Sequence, residues 1–97
     1  MEVLQRKDGT KGTFYIEENG KQLAEMTYSL GGPSLMIIDH TEVDDALRGK
    51  NAGYQMVNKA VEYARASNLK IFPLCPFAHS VFKKKEAEFA DVLHKTQ

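Results

Sequence analysis

The chain predicts a mixed α/β domain of the α+β kind: a mostly antiparallel sheet, one parallel crossover, and helices covering it. Three observations carry that expectation. Short runs rich in aromatic and β-branched residues, separated by glycine turns, fill the first half. A helical period takes over after Gly49. A short apolar strand follows that helix within a few residues, and strand–helix–strand with short loops implies parallel pairing through a crossover.

Each element has its own signal. Val3-Leu4-Gln5-Arg6 can pair with a neighbour across the turn signals Asp8-Gly9 and Gly12. Residues 13–17 form a strand that ends at Asn19-Gly20, a pair that tolerates the positive φ angles of a two-residue hairpin. Residues 23–29 alternate, with Ala24, Met26 and Tyr28 on one face, until Gly31-Gly32-Pro33 breaks the strand. Residues 35–43 read as a third long strand, apolar first and polar towards its end. Across residues 51–67, Ala52, Met56, Val57, Ala60, Val61 and Ala64 recur at spacings of three and four, an amphipathic helix closed by Ser67-Asn68. Residues 70–74 are the short apolar strand, with Pro73 expected at an edge or bulge. Proline at a first helical position makes Cys75 the cap of a second helix starting at Pro76, with Phe77, Val81 and Phe82 towards the core. Residues 86–94 add a final helical turn or two anchored by Phe89 and Leu93. The order is three strands, helix, strand, helix.

Composition narrows the function. The chain has 97 residues, 42% hydrophobic and 27% charged, which suits a single globular domain at residues 1–97. Thirteen basic residues balance thirteen acidic ones, against the clustered positive excess of a nucleic-acid binder. The longest aliphatic run, residues 35–38, is far short of the ~20 residues of a spanning helix, and no secretory leader is visible. Cys75 is the only cysteine, which rules out an internal disulfide and a four-cysteine zinc site and suits a reducing cytoplasm.

The most informative stretch is Val43-Asp44-Asp45-Ala46-Leu47-Arg48-Gly49-Lys50-Asn51-Ala52-Gly53-Tyr54. A strand runs into a glycine-bearing turn that opens a long helix, whose first N–H groups are unpaired and carry the positive end of the helix dipole. Gly49 and Gly53 let a phosphate approach the backbone, and Arg48 and Lys50 add charge. The alternative is a turn that merely needs glycine, with both cations solvated. Neither the nucleotide P-loop nor the dinucleotide glycine pattern is present.

This stretch resembles the acetyl-coenzyme A motif of the GNAT superfamily of N-acetyltransferases, Q/R-x-x-G-x-G/A. Arg48 takes the first position and Gly53 the last, while Asn51 stands where the first glycine is expected. Residues 38–43, the helix after the loop, and Pro73-Leu74-Cys75-Pro76-Phe77 extend the resemblance over most of the chain from Phe14 to Phe89, towards very short single-domain members. The resemblance implies a truncated GNAT-like fold and acetyl-coenzyme A as co-substrate, held by Val43, Arg48, Gly49, Lys50, Asn51, Ala52, Gly53, Tyr54, Cys75 and Phe77. It also implies that the strand at residues 70–74 splays from its parallel neighbour to admit the thioester beside Cys75. The chain lacks the N-terminal helices that usually build an acceptor pocket, and Phe82 stands where a tyrosine general acid is common.

Three residues are the catalytic candidates: Cys75, His40 and Glu42. A thiol at a helix start faces the positive end of the dipole, and the thiolate is the nucleophile; Cys75 either takes the acetyl group, lines the pocket, or is a small buried hydrophobe. An imidazole at His40 suits a general base for an ammonium substrate, the alternative being a histidine bonded within the sheet. By alternation Glu42, not Asp39, shares the face of His40. His79, one turn after Cys75, could pair with it, and nothing in the spacing of His40, Cys75 and His79 demands a metal. Glu42, Asp44 and Asp45 could attract a cationic amine, and Lys83-Lys84-Lys85 could contact the 3′-phosphate of coenzyme A, although solvated surfaces are the commoner outcome for such runs.

Three functions follow: acetyl transfer from acetyl-coenzyme A to an amine, an acyl-coenzyme A binding or sensing module without efficient transfer, or an interaction domain whose loop binds nothing. The acceptor, whether small molecule or protein amine, and the oligomeric state are not encoded in any motif. No nucleic acid or membrane partner is expected.

Overall fold

A computed structural model describes residues 1–95. Four strands, not three, precede the long helix: β1 (Leu4–Asp8), β2 (Lys11–Glu18), β3 (Lys21–Leu30) and β4 (Leu35–Val43). The first segment had a weak signal because β1 buries almost nothing, and its register with β2 holds it in place instead. The Asn19-Gly20 turn forms as expected, both residues having positive φ (52° and 77°). After a short 3₁₀ turn at Asp45–Leu47 come α1 (Ala52–Ser67), β5 (Lys70–Pro73), α2 (Pro76–Lys84) and α3 (Glu86–Phe89). The strands lie in chain order in one sheet, antiparallel except for the β4–β5 pair, which α1 bridges.

Alternation divides the sheet into two faces. Phe14 and Ile16, Ala24, Met26 and Tyr28, and Met36 and Ile38 point to the helical side, where the stripe of α1 from Met56 to Ala64 closes the core. Tyr28 is buried there, which pushes its phenol above the usual range, and its hydroxyl accepts a hydrogen bond from Gln5 Nε2 at 2.7 Å. Thr13, Tyr15, Glu25, Thr27, Ser29, Ile37, His40, Glu42 and Phe72 occupy the other face, and none of them is buried. Among the described residues no helix covers that face.

Residues 86–94 depart from the predicted helix. Only Glu86–Phe89 is helical; Val92 and Leu93 then run beside β5, with Ile71 N–H donating to Val92 O (2.6 Å) and His94 N–H to Ile71 O (2.8 Å). Backbone groups on the outer edge of β5 would otherwise lack partners, and a helix could not supply them. Phe89 and Val92 are the buried anchors, and Leu93 only packs against the core.

Arg65 ties this segment to α1. Its guanidinium spans both carboxylate oxygens of Asp91 at 2.9 and 3.0 Å and also donates to Glu88 O. Those hydrogen bonds hold the Asp91 carboxyl below its ordinary value of 3.8. The contribution is therefore complete above the unfolded value and is lost as pH falls through the lower, folded one. Thermal unfolding should show the wild type above Asp91→Asn at neutral pH, with the gap closing as the pH falls below 3.8. The difference is small because the pair is exposed, and a gap that persists in acid overturns the pin.

Candidate active site

The parallel pair is short. Its register runs from Leu35 opposite Lys70 to Ile38 opposite Pro73 and stops there. Ile38 O accepts from both Leu74 N–H and Cys75 N–H at 3.0 Å, and the chain then turns into α2. Pro73 ends the strand, a position where its missing N–H costs no ladder bond. Residues 39–43 of β4 thus continue past β5 paired only with β3, and among the described residues their other edge has no strand partner.

A bulge in β4 decides which side chains meet at this opening. Thr27 pairs with His40 and Tyr28 with Ile38, so Asp39 is the extra residue. Simple alternation would put His40 and Glu42 with Ile38 on the helical side. The bulge reverses this. Thr41 and Val43 lie opposite the buried Met26 and Ala24, while His40 and Glu42 lie opposite Thr27 and Glu25 on the open face. His40 and Glu42 do share a face, Nε2 standing 3.4 Å from Oε2, but the sheet separates them from Cys75.

Cys75 caps α2 as expected. Its backbone is extended (φ −70°, ψ 140°), and its Sγ accepts from Ala78 N–H at 3.4 Å and stands 3.2 Å from Thr41 Oγ1. It is 5% exposed. Among the described residues His79 is not hydrogen-bonded to the sulfur; it lines a separate groove with Pro73, Phe82 and Lys83. The one-turn spacing rule fails here because the cap residue lies outside the helical backbone. No cluster of three or more His, Cys, Asp or Glu with metal-binding geometry exists among the described residues.

The turn before α1 is a bed of free donors. Gly49 (φ 80°) and Asn51 (φ 57°) both have left-handed backbones, so asparagine supplies at the glycine position of the motif the conformation that glycine would. No side chain caps α1, and its first turn holds no acidic residue. Among the described residues the N–H groups of Gly49, Asn51, Ala52, Gly53 and Tyr54 have no hydrogen-bond partner. Arg48 and Lys50 fall outside that set, because the 3₁₀ turn engages their N–H groups with Asp45 O (3.0 Å) and Leu47 O (3.1 Å). The Lys50 side chain is not part of the groove wall either, and Arg48 pairs with Asp45 at 2.9 Å in an exposed contact that a ligand can displace.

Above this turn lies a groove of about 420 Å³ between the N-terminal end of α1 and α2, with Val43, Leu47, Tyr54, Phe77 and Val81 as apolar walls. The ring of Phe77 packs on Gly53, where a Cβ would meet ring carbons at 2.6 and 2.7 Å. Gly53 is therefore small to admit Phe77, in addition to whatever the loop holds. Of the four exposed large hydrophobic residues, Val43, Leu74 and Phe77 border the groove or the strand opening. Clustered apolar exposure of this kind marks a ligand groove. Thr41 was missed in the sequence because a bulge leaves no signal there. Val81 reads in the sequence only as a core-facing helix residue, whereas Lys84 and Lys85 stand out there, with Lys83, as cations for a 3′-phosphate; which of the three line the groove depends on the packing of α2.

The sequence profile of the GCN5-related N-acetyl-transferase family matches residues 13–92. The chain belongs to that family. No curated protein matches. A GCN5-like protein from Staphylococcus aureus, solved by NMR, is 32% identical, with 99% of this chain and 90% of that one covered and a TM-score of 0.71. More distant proteins share the fold: a ribosomal-protein-alanine N-acetyltransferase from Brucella melitensis (12% identity, TM-score 0.67, 93% of this chain and 66% of that one) and the GCN5 of Tetrahymena (18%, 0.63, 80% and 51%). An aminoglycoside N-acetyltransferase solved with coenzyme A has a TM-score of 0.61 at 8% identity, with 99% and 93% covered. The five-stranded sheet with its one parallel pair, bridged by α1, is thus that of an N-acetyltransferase fold.

Proposed function

We propose that this chain binds acetyl-coenzyme A in the α1–α2 groove and transfers its acetyl group to an amine. The observation that carries the reading is the set of unpartnered N–H groups at Gly49 and from Asn51 to Tyr54 beneath an apolar wall. The row takes the diphosphate, the lone edge of residues 39–43 pairs with the amides of the pantetheine arm, and the thioester enters the opening beside Thr41 and Cys75.

Cys75 Sγ attacks the thioester carbonyl, its proton passing to the coenzyme A sulfur as the bond from carbonyl carbon to that sulfur breaks, so that coenzyme A leaves as its thiol. The amine reaches the opening from the uncovered face, where His40, held by Glu42, takes the ammonium proton. The neutral amine nitrogen then attacks the acetyl carbon, the bond to Sγ breaks, and the amine's second proton passes to Sγ, leaving the amide and the Cys75 thiol. A second reading is a sensor that binds acetyl-coenzyme A without efficient transfer. It is favoured by Phe82, 3% exposed and packed against Phe89 with tilted rings 5.2 Å apart, which offers no hydroxyl where the family commonly has one.

Calorimetric titration with acetyl-coenzyme A, followed by a turnover assay with a panel of amines, tests both. Cys75→Ser keeps a capping oxygen and should bind the cofactor normally while turnover falls by roughly 10²-fold or more. Cys75→Ala should show the same kinetic loss and also lose up to about 1 kcal/mol of stability with the cap. Turnover by Cys75→Ser at the wild-type rate assigns direct attack by the amine, with Cys75 as pocket wall. Binding without turnover for any amine leaves the sensor.

A further inference from the structure

We infer that Lys84 and Lys85 form a second anion subsite that reads the 3′-phosphate of coenzyme A and so distinguishes it from 3′-dephospho-coenzyme A. This deepens the proposed function and rests on it. The three lysines at residues 83–85 part company in the fold. Lys83 lines the groove with His79 and Glu86, whereas Lys84 and Lys85 line the α1–α2 groove. The Lys85 ammonium stands 5.5 Å from the ring centre of Tyr54 and therefore lies alongside the first turn of α1, next to the free N–H groups. No carboxylate lines this groove, and among the described residues neither lysine has a salt-bridge partner. The groove thus holds two unpaired cations at the edge of a donor row that already selects a diphosphate.

The chemistry of the ligand matches that spacing. Lys84 is seven residues past Phe77, about 10 Å of helix rise, and a lysine chain reaches back over much of that distance. A nucleotide whose diphosphate sits on the α1 turn places its ribose along the groove, between the turn and these ammonium groups. A phosphate on the ribose 3′-oxygen is the one further anion of coenzyme A. Removing it leaves two cations facing a neutral hydroxyl, so the loss falls on affinity and not on the position of the thioester.

Calorimetry on the full chain with coenzyme A and with 3′-dephospho-coenzyme A tests this. The wild type should bind coenzyme A about five- to twentyfold more tightly, a preference that shrinks as salt is raised. The double variant Lys84→Ala/Lys85→Ala should bind both ligands equally, near the wild-type affinity for the dephospho form, with an unchanged circular dichroism spectrum. Lys84→Arg/Lys85→Arg should restore the preference. Equal binding of the two ligands by the wild type, or a preference that survives in the alanine variant, overturns the subsite while leaving the cofactor reading intact. Failure of either ligand to bind the wild type removes the cofactor reading and the subsite together.

Discussion

Gly49→Val should weaken acetyl-coenzyme A binding by about 30- to 100-fold, while Gly49→Asn stays within about threefold of the wild type. The argument rests on backbone, not on space. A Cβ at Gly49 meets nothing within 4 Å, but the residue sits at φ 80°. A left-handed conformation costs an ordinary L-residue about 1–2 kcal/mol, and a β-branched one tolerates it worst, whereas asparagine visits it readily. Asn51, two residues on, already does so at φ 57°. Valine at residue 49 therefore relieves its strain by turning the peptide, which takes the N–H groups of Gly49 and its neighbours out of alignment. Losing two such donors to a diphosphate accounts for the expected fold-change, at about 1–1.5 kcal/mol each. Calorimetry on the two variants checks it. Equal affinities would mean that the turn geometry does not hold the ligand.

Phe14→Ala should lower the free energy of unfolding by about 3–5 kcal/mol, a large part of the roughly 5–15 kcal/mol typical of a domain this size. Phe14 is fully buried at the centre of the helical face, its ring 5.2 Å from that of Tyr28 and 6.2 Å from that of Tyr63. Truncation leaves a cavity that three neighbouring elements, β2, β3 and α1, cannot collapse together to fill. Its chain neighbour Thr13 points the other way, and Thr13→Ala should change stability by no more than about 0.5 kcal/mol. Urea unfolding of both variants measures the contrast. Similar losses from the two would contradict the division of the sheet into a packed and an open face.

That division was partly legible in the residues. The alternation of Phe14 and Ile16, and of Ala24, Met26 and Tyr28, identifies the buried side of β2 and β3. On β4 the same rule holds through Ile38 and then fails, because the extra residue Asp39 shifts the period by one. Nothing in Ile38-Asp39-His40-Thr41 marks a bulge. It forms because β3 and β4 twist against one another with more residues on one strand than on the other, which is a property of the pair. The pairing of His40 with Glu42 follows from their spacing and is present, yet their separation from Cys75 follows from the bulge and is not visible locally. The tail shows the same limit: the pattern around Phe89 and Leu93 suits a helix, but the unpaired outer edge of β5 draws residues 92–94 into a strand-like ladder.

The elements readable from the residues alone are those with local signals: the Asn19-Gly20 hairpin, the stripe of α1, the cap at Cys75 and the glycine-bearing turn from Gly49 to Gly53. Each depends on dihedral preference or on a period within one segment. Which side chains share a site is set by packing between elements. The shift at Asp39 brings Thr41 to Cys75, the close approach of α2 lays Phe77 on Gly53, and the α1–α2 packing gives Lys84 and Lys85, but not Lys83, to the groove. Those contacts join residues 24 or more positions apart, and their geometry depends on how whole elements pack, which no local period records.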